Sequence, residues 1–317
     1  MPHDIEPRLL RAFAAVAEDL HFTRAAARLY VAQQALSRDI RRLERELGCA
    51  LFVRTTRQVA LTEDGVRLLP YARRVLGAYD DLAAARTGGM RPLIVDVGAP
   101  VSTAAELLAY ARESAPDLEF VARFHSGLTG AAAEIVAGRL DVSAGRVAGL
   151  PEALREQLEY RPLRFERMAV LLPDDHVLAG LDEVPLGALA GETLYAAAGN
   201  PATAEWTDLA ERLFEGRGIE LAPPFPEIEG AEEFARVIRK RRWSVLASTE
   251  FIEVEGMVLR PIVDPVPLSP ISLVWRKDVR HPALDAIRGS ADVLVETRGW
   301  LERPPGAWIP GIDLTLM

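Results

Sequence analysis

Apolar residues near the start of the chain recur at three- and four-residue spacing. Leu9, Leu10, Phe13, Val16, Ala17 and Leu20 form one stripe, which predicts a helix. Thr23 reads as the N-cap of a short helix from Arg24 to Leu29. A tight break follows at Tyr30, Val31 and Ala32. A longer helix is predicted from Gln33 to Leu47, with Gly48 where a C′ glycine belongs. Two helices joined by about three residues make a helix-turn-helix pattern. At about 100° per residue, Leu36, Ile40, Leu43 and Leu47 fall within about 60° of one another. Gln34, Arg38, Arg41 and Arg45 lie opposite, between about 140° and 200° from Leu36, with Ser37 and Arg42 beside them. Leu51-Phe52 and Val59 to Leu61 bracket the polar stretch Arg54-Thr55-Thr56-Arg57, the pattern of a β-hairpin.

Thr62 reads as the cap of a further helix, with Glu63 and Asp64 in its first turn. Its apolar positions are Val66, Leu69, Ala72, Val75 or Leu76, Tyr79, Leu82 and Ala83. It reaches about Arg86 and is stopped by Gly88-Gly89 and Pro92, while Pro70 inside it predicts a kink. A lone helix of this length does not hide its own apolar stripe, so pairing with a second copy is expected; packing on its own domain is the alternative. From Leu93 the pattern changes to strand and helix in alternation. Strands are expected at 93–97, 118–124, 140–143, 168–172, 193–197, 244–247, 257–262 and 271–275. Helices are expected from Ser102-Thr103 to Glu113, from a Thr129 cap to Ala137, and at 204–214, 231–240 and 283–297. Such alternation implies parallel sheets covered on both faces, with ligands at the carboxyl ends of strands.

The chain has 317 residues, 49% hydrophobic and 26% charged, which fits about two globular domains and excludes a disordered or collagen-like chain. Its single cysteine, Cys49, excludes an internal disulfide and a cysteine metal cluster. No apolar run suits a membrane helix, and no signal peptide opens the sequence, so a cytoplasmic location is expected. Net charge is −9, yet residues 21–60 carry eight arginines against three acids, a net +5, which leaves −14 on the rest. A small anion-binding module on an acidic body is one reading; a solvated arginine face is the other.

The stretch from Leu9 to Arg73, with "FTRAAARL", "ALSRDIRRLE", "LGCALFVRT" and "LTEDG", resembles the LysR-type transcriptional regulators. Downstream, "GRLDVSAG", "LEYRPL" and "MAVLLPDDHVLAG" resemble the effector domain of that family more loosely. The resemblance implies an α/β architecture in three parts. A winged helix-turn-helix DNA-binding domain would occupy 1–61 and a dimerising linker helix 62–90. A two-lobed periplasmic-binding-protein-like effector domain of type 2 would occupy 91–317. Lobe one would span about 92–162 and 267–300 and lobe two about 163–266, with hinges near Arg161-Pro162 and Asp264-Pro265. The implied partners are double-stranded DNA, further copies of the chain up to a homotetramer, a small metabolite and RNA polymerase. No membrane partner and no cofactor are implied.

Carried over residue by residue, the family's DNA contacts fall on Thr23, Arg24, Gln33, Gln34, Ser37, Arg38, Arg41 and Arg54. The chemistry suits them: Gln reads adenine, Arg forks to guanine, and hydroxyls and further arginines hold phosphate. Ala32-Gln33-Gln34 stands where the family usually has Ser-Gln-Pro, which implies an atypical operator. The expected effector residues are Ser102, Thr103, His125, Ser126, Leu128 and Thr129 from lobe one and Asn200, Ser248 and Thr249 from lobe two. A helix N-terminus at Ser102-Thr103 favours a carboxylate or other anion. His125-Ser126 and Asp174-Asp175-His176 are the residues an enzyme would use, but no nucleophile elbow, HExxH or P-loop accompanies them. A periplasmic receptor would lack the arginine-bearing helix, and a redox switch within one chain needs a second thiol.

Overall fold

The computed structural model describes residues 5–54, 59–86, 90–125, 127–228, 230–277 and 279–316, with backbone alone at 54, 81 and 84–86. The chain divides into two compact units, Met1–Arg91 and Pro92–Met317.

The first unit contains α1 (Pro7–Asp19), α2 (Phe22–Arg28), α3 (Gln33–Leu47), the antiparallel strands β1 (Phe52–Arg54) and β2 (Val59–Leu61), and α4 (Glu63–Arg86). Its core joins Leu9, Phe13 and Val16 of α1 to Leu36, Ile40 and Leu43 of α3, closed by Leu51 and Phe52. Phe52 meets Phe13 edge to face, with ring centroids 5.6 Å apart. The short helix starts earlier than the sequence pattern suggests. Its N-cap is His21, which accepts the Arg24 N–H, so Thr23 is helical and is not the cap. The Arg24 to Leu29 span misses because an imidazole nitrogen substitutes for the expected hydroxyl. Gly48 ends α3 at φ +71°, a conformation that favours glycine.

Thr62 caps α4 as expected, accepting the Gly65 N–H at 2.9 Å. The helix continues through Pro70. Packing on its own unit holds for one face of the helix, and a second apolar stripe is left uncovered. Leu69, Ala72 and Leu76 are buried in the unit's core, whereas Tyr71, Val75, Tyr79 and Leu82 stay exposed. At about 100° per residue the two stripes lie roughly a quarter turn apart. The expected stop at Gly88-Gly89 lies outside the described residues.

In the second unit, β3 (Leu93–Asp96), α5 (Thr103–Ser114), β4 (Phe120–Arg123), α6 (Leu128–Val136), β5 (Val142–Gly145) and α7 (Glu152–Arg155) lead into β6 (Leu158–Pro173). Then come β7 (Val184–Pro185), β8 (Thr193–Tyr195), α8 (Ala204–Phe214), β9 (Glu220–Leu221), α9 (Ala231–Arg241), β10 (Ser244–Ser248), β11 (Met257–Val263), β12 (Leu268–Arg276) and α10 (Pro282–Arg298). The strand order is β4-β3-β5-β12-β6-β10-β8-β9, with β11 pairing β6 and β7.

The sheet is mixed, not parallel throughout. β3 with β4 and β5, and β8 with β9 and β10, are parallel; β6 is antiparallel to β10, β11 and β12. The long strand β6 joins the lobes. Its first part pairs β12 as far as Arg167↔Leu268, and its last part, from Met168, lies between β10 and β11. Arg161-Pro162, expected as a hinge, is instead inside β6, at a register shift opposite Ile271/Ser272. A bulge tolerates a proline that has no N–H to give the ladder, which is why the chain does not break there. The return passes through Asp264-Pro265 into β12. α5 and α10 cover one face of the first lobe and α6 the other. α8 and α9 cover opposite faces of the second.

Candidate functional site

Two surfaces carry the chemistry. On α3, Leu36, Ile40 and Leu43 are buried, while Gln34, Arg38, Arg41 and Arg45 are exposed on the far side and Gln33 is exposed at the helix start. The side chains of Arg38 and Arg41 make no ion pair among the described residues. Arg42, beside them, is engaged by Glu46 at 2.8 Å and Glu6 at 2.7 Å. Thr23 donates to Gln33 Oε1 at 3.3 Å, so the start of α2 meets the start of α3. Arg24 donates to the Asp19 carbonyl at 2.5 Å, and Ser37 is half-buried. The backbone of Arg54 lies in β1; its side chain and all of Arg57 lie outside the described residues. The arrangement presents guanidinium and carboxamide groups on one rigid helix face, the donors that fit phosphates and base edges.

In the second unit a cavity of about 350 Å³ opens between the lobes. Of the residues singled out in the sequence, Ser102, Thr103, Leu128, Asn200 and Ser248 line it. Ser102 also caps α5, accepting the Ala105 N–H at 3.0 Å, and Asn200 caps a short turn through the Ala202 N–H. His125, Thr129 and Thr249 do not line the cavity. The His125 N–H is tied to Asp96 Oδ1 at 3.0 Å, which holds that loop against the sheet. Thr129 is not a cap: Gly127 holds that position, and the Thr129 hydroxyl donates to Glu205 at 2.5 Å. Thr249 follows the end of β10, and its N–H goes to the Arg167 carbonyl. Ser126 lies outside the described residues.

The sequence reading missed the charged residues of this cleft. Glu205, at the start of α8, accepts the Leu128 and Thr129 N–H groups at 2.7 and 3.1 Å, filling the N-terminus of α6 with the protein's own carboxylate. Burial pushes its carboxyl up, against the pull of those hydrogen bonds. Arg146, 2% exposed, donates to both oxygens of Asp313, to Asp208 at 2.6 Å and to the Glu205 carbonyl at 3.0 Å. Lobe one, lobe two and the C-terminal tail therefore meet at one guanidinium. Glu166 is half-buried and accepts from the Thr103 hydroxyl, 2.5 Å away, and desolvation raises its carboxyl. For Glu166 and Arg146 the available signal was a charge at the end of an apolar strand pattern, in "RFERMAVLL" and "LDVSAGR"; Glu205 carries no such mark.

Of the Asp174-Asp175-His176 set, two members have structural partners. His176 sits 3.3 Å from Glu192, and Asp175 pairs with Arg242. Cys49 is half-buried at the edge of the first core, and burial raises its thiol, which disfavours the reactive thiolate. Among the described residues no helix is long and apolar enough to cross a membrane.

Residues 7–66 match the bacterial regulatory helix-turn-helix protein family of lysR type, and residues 95–292 match the LysR substrate binding domain. The chain belongs to the LysR family of transcriptional regulators. The HTH-type transcriptional regulator TtuA of Agrobacterium vitis is 30% identical over 316 residues, covering 92% of this chain and 98% of the relative. The uncharacterized HTH-type transcriptional regulator YnfL of Escherichia coli (strain K12) is 35% identical over 196 residues; the match covers 60% of this chain and 64% of that relative's length. Among solved structures, a single-site variant of full-length OxyR from Pseudomonas aeruginosa shares the fold, with a TM-score of 0.66 at 21% identity, covering 96% of this chain and all of that one.

Proposed function

We propose that this regulator binds an operator duplex through α3 and changes its output when a small molecule occupies the interlobe cleft. The observation that carries the DNA reading is the division of α3 into a buried Leu36-Ile40-Leu43 ridge and an exposed face bearing Gln34, Arg38 and Arg41. A helix held by such a ridge as the second member of a helix-turn-helix is positioned to enter a major groove. Thr23, Arg24, Gln33, Ser37 and Arg54 are assigned supporting contacts to phosphate or bases. Gln34, in place of the usual proline, adds a carboxamide within the reading face.

The exposed stripe Tyr71, Val75, Tyr79 and Leu82 on α4 is assigned to pairing with a second copy, and two such dimers to a homotetramer on a pseudo-palindromic site. Ser102, Thr103, Leu128, Asn200 and Ser248 are assigned to effector contact. A cytoplasmic location follows from this function, and RNA polymerase is the expected downstream partner. The domain limits of the reading are 1–61, 62–90 and 91–317, with the lobe crossings in β6 at Arg167/Met168 and at Asp264-Pro265. The test is Arg38→Ala in a gel-shift titration against the cognate duplex. Loss of specific binding with an unchanged circular dichroism spectrum supports the assignment; unchanged affinity defeats it.

A further inference from the structure

The sequence favours an anionic ligand because it sees an open helix N-terminus at Ser102-Thr103. The cleft itself is arranged for the opposite charge. The N-terminus of α6 is already occupied by Glu205. Four of the five N–H groups of Arg146 are engaged by Asp313, Asp208 and the Glu205 carbonyl. Arg164, the nearest other cation, is held by Glu250 at 2.8 Å and lies near Glu106. An incoming carboxylate would find no uncommitted guanidinium and would meet Glu166.

Glu166 and Ser269 are direct cross-strand partners on β6 and β12, so their side chains leave the sheet on the same face. Both line the cavity. The Glu166 carboxylate accepts from the Thr103 hydroxyl and makes no ion pair among the described residues, while the neighbouring Ser248 hydroxyl donates to the Glu250 carbonyl at 3.0 Å and keeps its lone pairs for an incoming donor. The Ser269 hydroxyl is buried and has no hydrogen-bond partner among the described residues. The nearest guanidinium, Arg164, reaches Glu166 through the Thr103 hydroxyl at 3.4 Å and pairs directly with Glu250 instead. A half-buried carboxylate with no direct ion pair, beside a buried hydroxyl without a partner among the described residues, is costly unless a ligand completes it. The lining adds a third carboxylate, Glu250, to Glu205 and Glu166, and carries the aromatic rings of Tyr195, Trp206, Phe234 and Phe251. Such faces attract a cation as well as hydrocarbon.

We propose that the interlobe cleft takes a small hydrophobic amine, its ammonium group held by the Glu166 carboxylate with the Ser269 and Ser248 hydroxyls beside it, and its hydrocarbon body against Tyr195, Trp206, Phe234 and Phe251. This rests on the reading of the cleft as the effector site and narrows it to one charge class.

The experiment is calorimetric and thermal-shift titration of the full chain with phenethylamine, phenethyl alcohol and hydrocinnamate, three molecules of similar shape and different charge. The amine is expected to bind best. Glu166→Gln, which keeps the size and the hydrogen bond to Thr103, is expected to weaken it about tenfold or more, and Ser269→Ala a few-fold. Val101→Trp, at an exposed position on the cavity wall, is expected to block binding. Tighter binding of hydrocinnamate, or amine affinity unchanged in Glu166→Gln, overturns the charge assignment and leaves the cleft as the site. Failure of the amine to bind overturns the proposal as well. Amine binding that survives Val101→Trp removes the site reading along with it.

Discussion

Replacing Arg146 by methionine removes a guanidinium that three parts of the second unit share. The bonds lost are the bidentate pair to Asp313, the pair to Asp208 and the donation to the Glu205 carbonyl. Asp208 keeps Arg212 at 2.9 Å and remains partly hydrated. Asp313 is 2% exposed and keeps no cation within ion-pair distance among the described residues. Stranding one buried charge in this way costs about 3–5 kcal/mol. If that strain comes from the stranded carboxylate, removing the carboxylate too relieves it. The double variant Arg146→Met, Asp313→Leu should therefore return to within about 1–2 kcal/mol of the parent, since replacing both members of a buried pair by apolar groups is close to neutral. The assay is urea denaturation followed by tryptophan fluorescence. All five tryptophans (Trp206, Trp243, Trp275, Trp300 and Trp308) lie in the second unit, so the signal reports that unit alone. A cost below about 1 kcal/mol for Arg146→Met, or a double variant no better than the single one, would refute the reasoning.

Stability should also depend on pH in a stated direction. Burial raises the carboxyls of Glu166 and Glu205 above their ordinary 4.5, so the folded chain binds more protons than the unfolded chain just above that pH. Their contribution is full below about 4.5 and is lost as pH rises through the raised values. Arg164, Glu106 and Glu250 face the same region, so Glu166→Gln should flatten the decline in melting temperature between mildly acid and neutral pH without abolishing it; a slope identical to the parent's counts against the assignment. Leu82→Asp on α4 should raise the dimer dissociation constant by about tenfold or more, because it buries a carboxylate in the paired helices; sedimentation velocity that shows an unchanged dimer contradicts the interface. Gly149→Ala places a Cβ 2.5 Å from Glu205 Cα, against helix backbone. It should destabilise the second unit by about 1–3 kcal/mol, read by the same fluorescence assay, and wild-type stability would contradict the contact.

The first unit was legible because local signals and tertiary packing agree there. The 3.6-residue repeat of Leu36, Ile40 and Leu43 fixes which face of α3 is buried, and a capping threonine and a left-handed glycine mark boundaries the structure keeps. The second unit was legible as a succession of strands and helices but not as a sheet. Strand β6 has no periodic mark that it changes partners at Arg167/Met168, and Pro162 looks like a break because a bulge is visible only once β12 is alongside. The cleft was half legible. Ser102, Thr103, Leu128, Asn200 and Ser248 sit at helix starts and strand ends, where a ligand site is expected in an α/β fold. Glu205 and Asp313 lie 59 and 167 residues from Arg146 along the chain, and only the folded lobes bring the three together. Helix starts read alone point to an anion; with Glu205 and Glu166 in place, the same cleft favours a cation.

The central claim is that α3 reads a duplex. In vitro selection from a pool of random double-stranded DNA by the full-length protein tests it with no operator chosen in advance. The account predicts enrichment of one motif with two related half-sites, bound with a steep salt dependence because several arginines neutralise phosphates, and no enrichment by the Arg38→Ala protein. A pool that stays random after repeated rounds, or the same motif selected equally well by Arg38→Ala, would contradict it.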